Sequence, residues 1–356
     1  MAREKRQKEF KKILISGNEA IAEGALAAGC DFYAGYPITP QNELIGYMAK
    51  YMPKAGGVFI QAESELAAIN MVYGASAAGA RAMTSSSSPG ISLKQEGISY
   101  IAGAELPSVI VNIMRGGPGL GNIAPAQSDY FQATRGGGHG DYHTIVLAPG
   151  SVQEAYDLAQ RSFDLADKYR IPVIILGDGI LGQMMEPVEL SAKKIKPANL
   201  KPWALTGCKG RKPNIIKSFA LAEGALEKLN LKLQQKYNII KNKETRFKGL
   251  FLDDAKIVLV AYGTMARIAK SSLTRMRLAG ERIGMIRPIS LWPFPKQAFC
   301  PRNKKIKYLV IEMSYGQMLE DVQLAVNGKA QVEFLGRSGG GIPSEDQIIN
   351  KVRKIL

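Results

Sequence analysis

The 356-residue chain is long enough to bury a large hydrophobic core, and its length predicts two domains. No apolar run approaches the roughly 18 residues of a membrane span, and the charged N-terminus is not followed by the apolar core of a signal peptide. We therefore expect a cytoplasmic protein with no membrane partner.

The formal net charge of +16 is compatible with a nucleic acid, an acidic partner or a phosphorylated ligand. The basic excess lies in residues 1–12, 193–248 and 296–307, outside the strand-rich parts, and no nucleic-acid-binding motif accompanies it. We interpret it as solvated surface and subunit contacts, and expect no nucleic acid partner.

Three cysteines, an odd number, lie far apart in the chain: Cys30, Cys208 and Cys300. This spacing matches neither a disulfide framework nor a metal or iron–sulfur ligand set. Any redox centre must therefore come from another chain.

The pattern of elements predicts an α/β protein with a basic arm (1–12), a first domain (13–192), a basic linker with a helix (193–250) and a second domain (251–356). Order begins with a strand at Lys12, which passes through Gly17 into a helix at 20–28, with Asn18 as a candidate cap.

After a strand at 31–34 comes the segment Tyr36-Pro37-Ile38-Thr39-Pro40. The two prolines stiffen this turn. Pro40 fits the first position of a helix and Thr39 its N-cap, so the hydroxyl caps the helix, meets a ligand, or does both.

A strand at 58–61 is followed by Glu63 and Glu65, and a strand at 82–84 leads into the hydroxyl run Thr84–Ser88. Ligands of open α/β sheets bind where strands end and helices begin. A glutamate at a helix start often only complements the helix dipole. However, the helix after Glu65 is apolar and rich in small residues, so a carboxyl entering it needs a partner.

The buried strand at 107–114 ends at Arg115, which opens the glycine-rich loop Gly116–Gly121. An arginine here is placed to hold a carboxylate with two hydrogen bonds, or is simply a surface residue on a flexible loop. The glycine spacing does not fit a dinucleotide-binding turn.

His139 and His143 lie among glycines, which disfavour the helix that would make their spacing a metal pair, so we expect a loop near the cleft. The triplet 177–179 (Gly-Asp-Gly) suggests the diphosphate and Mg²⁺ motif of thiamine enzymes, but Asn199 and Asn214 lie on either side of the window for its second ligand. We expect no metal site in this chain.

The linker contains a predicted helix, Ser218 to Lys236. Strands and helices then alternate from Lys256 to Leu356, with a stiff loop predicted at 287–295. This unit lacks a phosphate loop and a catalytic triad, which favours a scaffold and interface role.

Five motifs in order carry a family resemblance, over nearly the whole chain: residues 36–40 (YPITP), 63–65 (ESE), 84–90, 114–118 (MRGGP) and 151–155 (SVQEA). The chain resembles the alpha-type subunit of thiamine-diphosphate 2-oxoacid:ferredoxin oxidoreductases, and the 2-oxoisovalerate (3-methyl-2-oxobutanoate) enzymes most of all. The resemblance implies a pyrimidine-binding domain followed by a smaller, doubly wound, transketolase C-terminal-like domain.

The resemblance also implies residue roles. Glu65 would hydrogen-bond the aminopyrimidine ring and promote loss of the thiazolium proton. Thr39 would lie near the substrate carbonyl and Arg115 near its carboxylate. Residues that complete the predicted cofactor and substrate surfaces are Tyr36, Pro37, Ile38, Ser86, Ser87, Leu120 and Ile123.

The parts that this chain lacks would come from other chains of the complex. A beta subunit would hold the diphosphate and Mg²⁺, and that chain and a small ferredoxin-like subunit would hold the iron–sulfur clusters. A gamma subunit, ferredoxin and coenzyme A complete the expected set, so the chain alone should be inactive.

Substrate choice depends on the loop at 119–125, where Leu120, Ile123 and Ala124 offer no partner for a second carboxylate and suit a branched apolar tail. We expect 2-oxoisovalerate, with 2-oxoglutarate as the alternative. Two other classes remain open: a non-catalytic basic interaction subunit, and a thiamine dehydrogenase subunit that uses lipoamide and NAD.

Overall fold

A computed structural model describes residues 12–190, 201–299 and 306–356 of the chain. Most of the expected N-terminal arm, the start of the linker and Cys300 lie outside these residues. Among the described residues, no helix is both long enough and apolar enough to cross a bilayer.

A seven-stranded sheet forms the centre of the first domain, with the strand order β12-β6-β7-β5-β4-β2-β3. All neighbours pair in parallel except β12, which is antiparallel to β6. The strands are β2 Phe32–Gly35, β3 Val58–Gln61, β4 Ala82–Ser86, β5 Ser108–Met114, β6 Ile145–Leu147, β7 Pro172–Asp178 and β12 Ser290–Trp292.

Helices cover both faces of this sheet. Side chains of β5 alternate between two cores: Val109 and Val111 pack with α1, α2 and α6, whereas Ile110 packs with α3 and α4. Burial on both faces explains why β5 and β7 are nearly continuous apolar runs. The helices are α1 Gly17–Ala27, α2 Asn42–Tyr51, α3 Glu65–Ala77, α4 Ser88–Gly103, α5 Tyr130–Thr134, α6 Val152–Tyr169 and α7 Gly179–Gln183.

A small antiparallel ribbon, β1 Lys12–Ser16 with β8 Met185–Glu189, lies beside this domain. Sequence patterning missed β8. The predicted cap of α1 was wrong: Ser16 accepts from Glu19 N and forms the capping box, because its hydroxyl lies one residue before the first helical turn. Asn18 instead donates to Pro40 O (2.8 Å) and Glu43 Oε2 (2.7 Å).

The second domain contains a five-stranded sheet of order β14-β13-β10-β11-β9, in which only β9 is antiparallel. Its strands are β9 Phe247–Leu250, β10 Ile257–Val260, β11 Ile283–Pro288, β13 Lys307–Glu312 and β14 Gln331–Gly336. Its helices are α9 Gly263–Leu278, α10 Gln317–Val326 and α11 Glu345–Ile355. Short 3₁₀ helices lie at Pro53–Ala55 and Lys296–Phe299.

Two predictions in this half were wrong. The linker helix, α8, runs from Ala225 to Lys243 and starts later than expected, because Leu233, Tyr237 and Ile240 are the residues that reach the core. The predicted loop at 287–295 contains β12, which leaves the second domain and extends the first sheet. A strand from the C-terminal part of the chain therefore forms one edge of the seven-stranded sheet of the first domain.

Candidate functional site

The loop after β2 is fastened to the end of β4 by a buried polar chain. Tyr33 Oη and Ser85 Oγ are 2.6 Å apart, and Ser85 donates to Gln41 Oε1 at 2.6 Å. Gln41 Nε2 in turn donates to Tyr36 O at 3.3 Å. This chain holds the loop at the carboxyl end of the sheet.

Within this loop the Thr39–Pro40 peptide is cis, and α2 begins only at Asn42. The prediction that Thr39 caps a helix starting at Pro40 was therefore wrong. Gln41 occupies the cap position, but its side chain makes no capping hydrogen bond to α2, and Thr39 Oγ1 accepts from Asn42 Nδ2 at 3.3 Å. Tyr36 and Pro37 are exposed, and Ile38 is half-buried.

Glu65 is the first residue of α3, and its side chain is buried with 5% exposure. Ser86 Oγ donates to Glu65 Oε1 at 3.5 Å, the long limit of a hydrogen bond. A β-carbon on Gly90 would lie less than 3.0 Å from both of these oxygens. The absence of a side chain at Gly90 thus makes room for the carboxyl, whereas Glu63 is exposed.

Two more serines, Ser87 and Ser88, follow Ser86 at the end of β4. Ser87 Oγ is buried without a hydrogen-bond partner. Ser88 donates from its amide to Asn112 Oδ1 (3.1 Å) and from its hydroxyl to Asp129 Oδ2 (2.6 Å). Asn112 also donates to Asp129 (2.8 Å), and burial raises the pKa of the Asp129 carboxyl. These contacts hold the start of α4, the strand β5 and the N-cap residue of α5 together.

Arg115 has 6% exposure and reaches across the same edge. It donates from Nη1 to Thr39 O (3.1 Å) and from Nη2 to Leu120 O (3.0 Å), while Nε is buried without a partner. Its backbone amide donates to Ser88 Oγ at 3.0 Å. Arg115 is therefore a fixed part of the edge and not a mobile surface residue.

The loop after Arg115 folds back as a short hairpin, because Gly116 N donates to Ala124 O at 2.9 Å. Its tip presents Leu120 and Ile123 with 80% and 67% exposure. Asn122 Nδ2 donates to Gly339 O (3.1 Å), which ties the loop to the second domain.

The predicted site residues thus lie along one edge. Thr39 contacts Arg115, Arg115 contacts Ser88, and Ser86, two residues earlier, contacts Glu65. The carbonyl oxygen of Leu120 accepts a hydrogen bond from Arg115. The side chains of Leu120 and Ile123 extend away from these contacts into solvent.

Sequence reasoning missed several residues of this edge. The most unusual is Lys94, which is completely buried and donates to Glu65 O (3.2 Å) and Thr84 Oγ1 (3.1 Å). Its position four residues after Gly90, on the same helix face, was the available signal. Asn112 and Asp129 carried no recognisable motif.

The triplet at 177–179 has a structural role. Asp178 accepts from Leu181 N (3.1 Å) as the cap of α7, and from Thr264 N (2.9 Å) and Thr264 Oγ1 (2.5 Å) of the second domain. Burial raises the pKa of the Asp178 carboxyl. Its acceptor oxygens are engaged in joining the two domains.

The two histidines pack against different aromatic residues. His143 stacks on Trp292, with ring centroids 4.5 Å apart, and burial lowers its pKa to about 4. His139 lies edge-on to Tyr100. Within the part of the chain that the structure describes, no three His, Cys, Asp or Glu residues group to hold a metal ion.

Two family models match the chain. Residues 23–245 match "Pyruvate flavodoxin/ferredoxin oxidoreductase, thiamine diP-bdg", and residues 255–348 match "Pyruvate:ferredoxin oxidoreductase core domain II". Together they span both domains.

Among curated proteins, the ketoisovalerate oxidoreductase subunit VorB of Methanothermobacter marburgensis is 49% identical over 96% of this chain and 97% of its own length. The 2-oxoglutarate synthase subunit KorA of the same organism is 38% identical over 95% of this chain and 97% of its own.

Among solved structures, the 2-oxoglutarate:ferredoxin oxidoreductase of Magnetococcus marinus, with 2-oxoglutarate, coenzyme A and succinyl-CoA bound, superposes with a TM-score of 0.87 at 27% identity. The match covers 98% of this chain and 66% of that chain. A split-gene transketolase shares the fold alone, with a TM-score of 0.59 at 11% identity over 96% of this chain and 97% of that chain. The chain therefore belongs to the pyruvate flavodoxin/ferredoxin oxidoreductase family, as an alpha-type subunit of a 2-oxoacid:ferredoxin oxidoreductase.

Proposed function

We propose that this chain binds the aminopyrimidine end of thiamine diphosphate in a ketoisovalerate (2-oxoisovalerate):ferredoxin oxidoreductase. The buried carboxyl of Glu65, with Ser86 beside it and Gly90 leaving room for it, carries the proposal. The reaction converts the 2-oxoacid and coenzyme A to acyl-CoA and CO₂, and two electrons pass singly to ferredoxin.

The described residues fit such a ligand. Ser87 Oγ and Arg115 Nε are buried at this edge without partners, so both are available to a polar ligand. A carboxyl such as Glu65 pairs with a ring nitrogen, and the exposed surface of Tyr36, Pro37 and Ile38 supplies apolar contact area.

When bound, thiamine diphosphate supplies the carbon nucleophile for the 2-oxo group and the electron sink after CO₂ departs. Glu65 holds the ring nitrogen and exchanges a proton with it. Thr39 orients the substrate carbonyl through its hydroxyl, and Arg115 holds the substrate carboxylate through its free Nε–H.

We assign this site to the first domain, residues 13–192, followed by the basic linker 193–250 and a transketolase C-terminal-like domain, residues 251–356. The basic segment 1–12 precedes the first domain in the sequence. A beta subunit completes the site with the diphosphate contacts, Mg²⁺ and clusters, and gamma and ferredoxin-like subunits complete a cytoplasmic complex.

The relative that is 49% identical and acts on ketoisovalerate favours the branched substrate. The loop at 116–125 agrees with it, because no residue between Gly116 and Pro125 carries a charge that would pair with a second carboxylate. The solved 2-oxoglutarate enzyme and the KorA relatives keep 2-oxoglutarate as the second candidate.

The test is anaerobic methyl viologen reduction with thiamine diphosphate, Mg²⁺, coenzyme A and either acid, by the chain alone and by the purified complex. We expect turnover by the complex only, with a higher kcat/KM for 2-oxoisovalerate. A higher value for 2-oxoglutarate would reject the substrate assignment, and a cluster-replete complex inactive on both acids would reject the function.

A further inference from the structure

The segment 214–221, between the first domain and α8, covers every second side chain. Residues at even positions are half-buried, and those at odd positions are exposed. This period of two is that of an extended chain with one covered face. The large apolar side chains on the exposed face are Ile215, Phe219 and Leu221, with 75%, 69% and 83% exposure. A contiguous apolar ridge of this kind on the surface marks an interaction site.

Contacts at both ends hold this segment against the ends of α3 and α4. Asn214 Nδ2 donates to Ala204 O at 2.9 Å, and the residue after Ala204 donates its amide to Ala77 O of α3 at 2.9 Å. A β-carbon on Gly103, the last residue of α4, would lie 3.3 Å from the β-carbon of Ser218. The ridge is therefore held in place before any partner binds.

The main chain of this ridge is open to a partner as well. Within the described chain, no hydrogen bond joins residues 212–221 to another main-chain group. Exposed main-chain donors and acceptors beside apolar side chains are the features that another chain pairs with when it binds an extended segment.

The charge of the segment limits which partner it fits. Residues 209–221 contain four cations and no acid, all exposed: Lys209, Arg211, Lys212 and Lys217. Within the described chain the three lysines form no ion pair, and Arg211 donates only to main-chain oxygens. A second copy of this chain on a two-fold axis would bring these cations against themselves. The ridge instead fits a surface with carboxylates around an apolar hollow.

The exposed stripe of α4 connects this ridge with the cofactor edge. Leu93 and Tyr100 lie on one face of α4, both exposed, between Gly90 and Gly103. At 1.5 Å per residue, these two glycines are about 20 Å apart. An interface of roughly 800 Å² per partner is wide enough to cover that distance. A chain that completes the site beside Gly90 can therefore also cover the ridge.

We propose that the segment 214–221 and its flanking cations dock the diphosphate-binding chain of the complex, through an acidic surface of that chain with an apolar hollow. The inference rests on the proposed function, which assigns the rest of the site to that chain. The apolar side chains of the ridge become buried on assembly and slow dissociation. Lys212 and Lys217 accelerate and orient the encounter.

The first test measures the affinity of the full chain for the purified diphosphate-binding chain. The triple variant Ile215→Ser/Phe219→Ser/Leu221→Ser should raise Kd at least about tenfold and keep the wild-type Tm, because the three side chains are exposed in the free chain. Leu278→Ser, at the exposed end of α9, is the matched control and should keep the wild-type Kd. A wild-type Kd for the triple variant would overturn the proposal.

The second test uses the charges and does not depend on the folding of the triple variant. Lys212→Glu/Lys217→Glu should lower the association rate at least about tenfold at low salt, and high salt should reduce the difference. Lys270→Glu/Lys329→Glu, at two exposed positions of the second domain, is the control. Equal rates for the two double variants would overturn the proposal. So would variants that lose binding to the gamma chain and keep it to the diphosphate-binding chain.

Turnover of the wild-type complex is measured separately and tests the proposed function. An inactive wild-type complex whose assembly is weakened by the triple variant would reject the function alone. An active wild-type complex whose assembly the triple variant leaves unchanged would reject the docking role alone.

Discussion

The carboxyl of Glu65 lies directly against the backbone of Gly90, at a distance that leaves no room for a β-carbon. This contact couples the start of α4 to Glu65, the buried acid that we propose to bind the cofactor ring. The space between α3 and α4 is therefore as much a part of the site as its polar atoms.

Gly90→Ala should weaken thiamine diphosphate binding and lower kcat by about tenfold or more, because a misplacement of roughly 1 Å is enough to disrupt a catalytic geometry. The measurements are calorimetric cofactor titration and turnover of the complex. Gly74→Ala on α3 is the matched control, since a β-carbon there meets no atom within 4 Å. It should stabilise the chain slightly and leave binding unchanged. Equal behaviour of the two variants would contradict the assignment.

Thr264→Val should lower the free energy of unfolding by about 1–3 kcal/mol, because it removes the hydroxyl donor from the buried Asp178. Urea unfolding monitored by fluorescence measures the change. Thr274→Val, on the exposed face of the same helix, should have little effect. If Thr264→Val is as stable as Thr274→Val, Asp178 does not hold the two domains together.

The lowered pKa of the Glu154 carboxyl should make the stability of the protein depend on pH. Its burial opposes ionisation, but Arg287 and Lys248, each 2.6 Å from Oε1, outweigh that and lower the pKa to about 2. A folded-state pKa below the ordinary 4.5 stabilises the protein at neutral pH, and this stabilisation is lost as the pH falls towards 2.

Glu154→Gln should therefore lower Tm by about 2–4 °C at pH 7, and its difference from wild type should shrink at pH 3. Glu189→Gln, which breaks an exposed pair with Lys12, serves as the control and should change Tm little. A Glu154→Gln effect that is constant from pH 7 to 3 would contradict the assigned ionisation.

Ile123→Arg should shift substrate preference towards 2-oxoglutarate, because the exposed loop tip would gain a cation for the second carboxylate. We expect the kcat/KM ratio of 2-oxoglutarate to 2-oxoisovalerate to rise at least about tenfold in the complex. Ile123→Leu is the matched control and should keep the wild-type ratio. A ratio that does not change would place substrate selection outside this loop.

Much of the fold follows from local patterns. The sequence predicts β5, β7 and α6, because the strands are apolar runs and the helix buries a regular apolar face. The strand β12 is not predicted in this way, because it depends on β6, which is distant in the chain. The Ser16 cap is local, since Ser16 and Glu19 form a capping box three residues apart, and this pattern was available in the sequence. β12 is only three residues long and becomes a strand through its pairing with β6.

Some residues of the candidate site could likewise be predicted from the sequence, and others could not. Glu65 and Arg115 stood out because charged residues at strand and helix ends break an apolar pattern. Lys94 did not, since lysines on helices are ordinarily solvated and only the α3–α4 packing reveals that this one is buried. The start of α2 at Asn42 likewise lies beyond Pro40, where the sequence indicated it.

In the proposed function, Glu65 is the acid that activates the cofactor. The most direct measurement is the anaerobic, 2-oxoisovalerate-dependent reduction of ferredoxin by the purified complex with wild-type or Glu65→Gln chain. We predict a loss of about 10²-fold or more in kcat, with the complex assembled and its clusters intact. A Glu65→Gln complex with near wild-type turnover would contradict this role of Glu65.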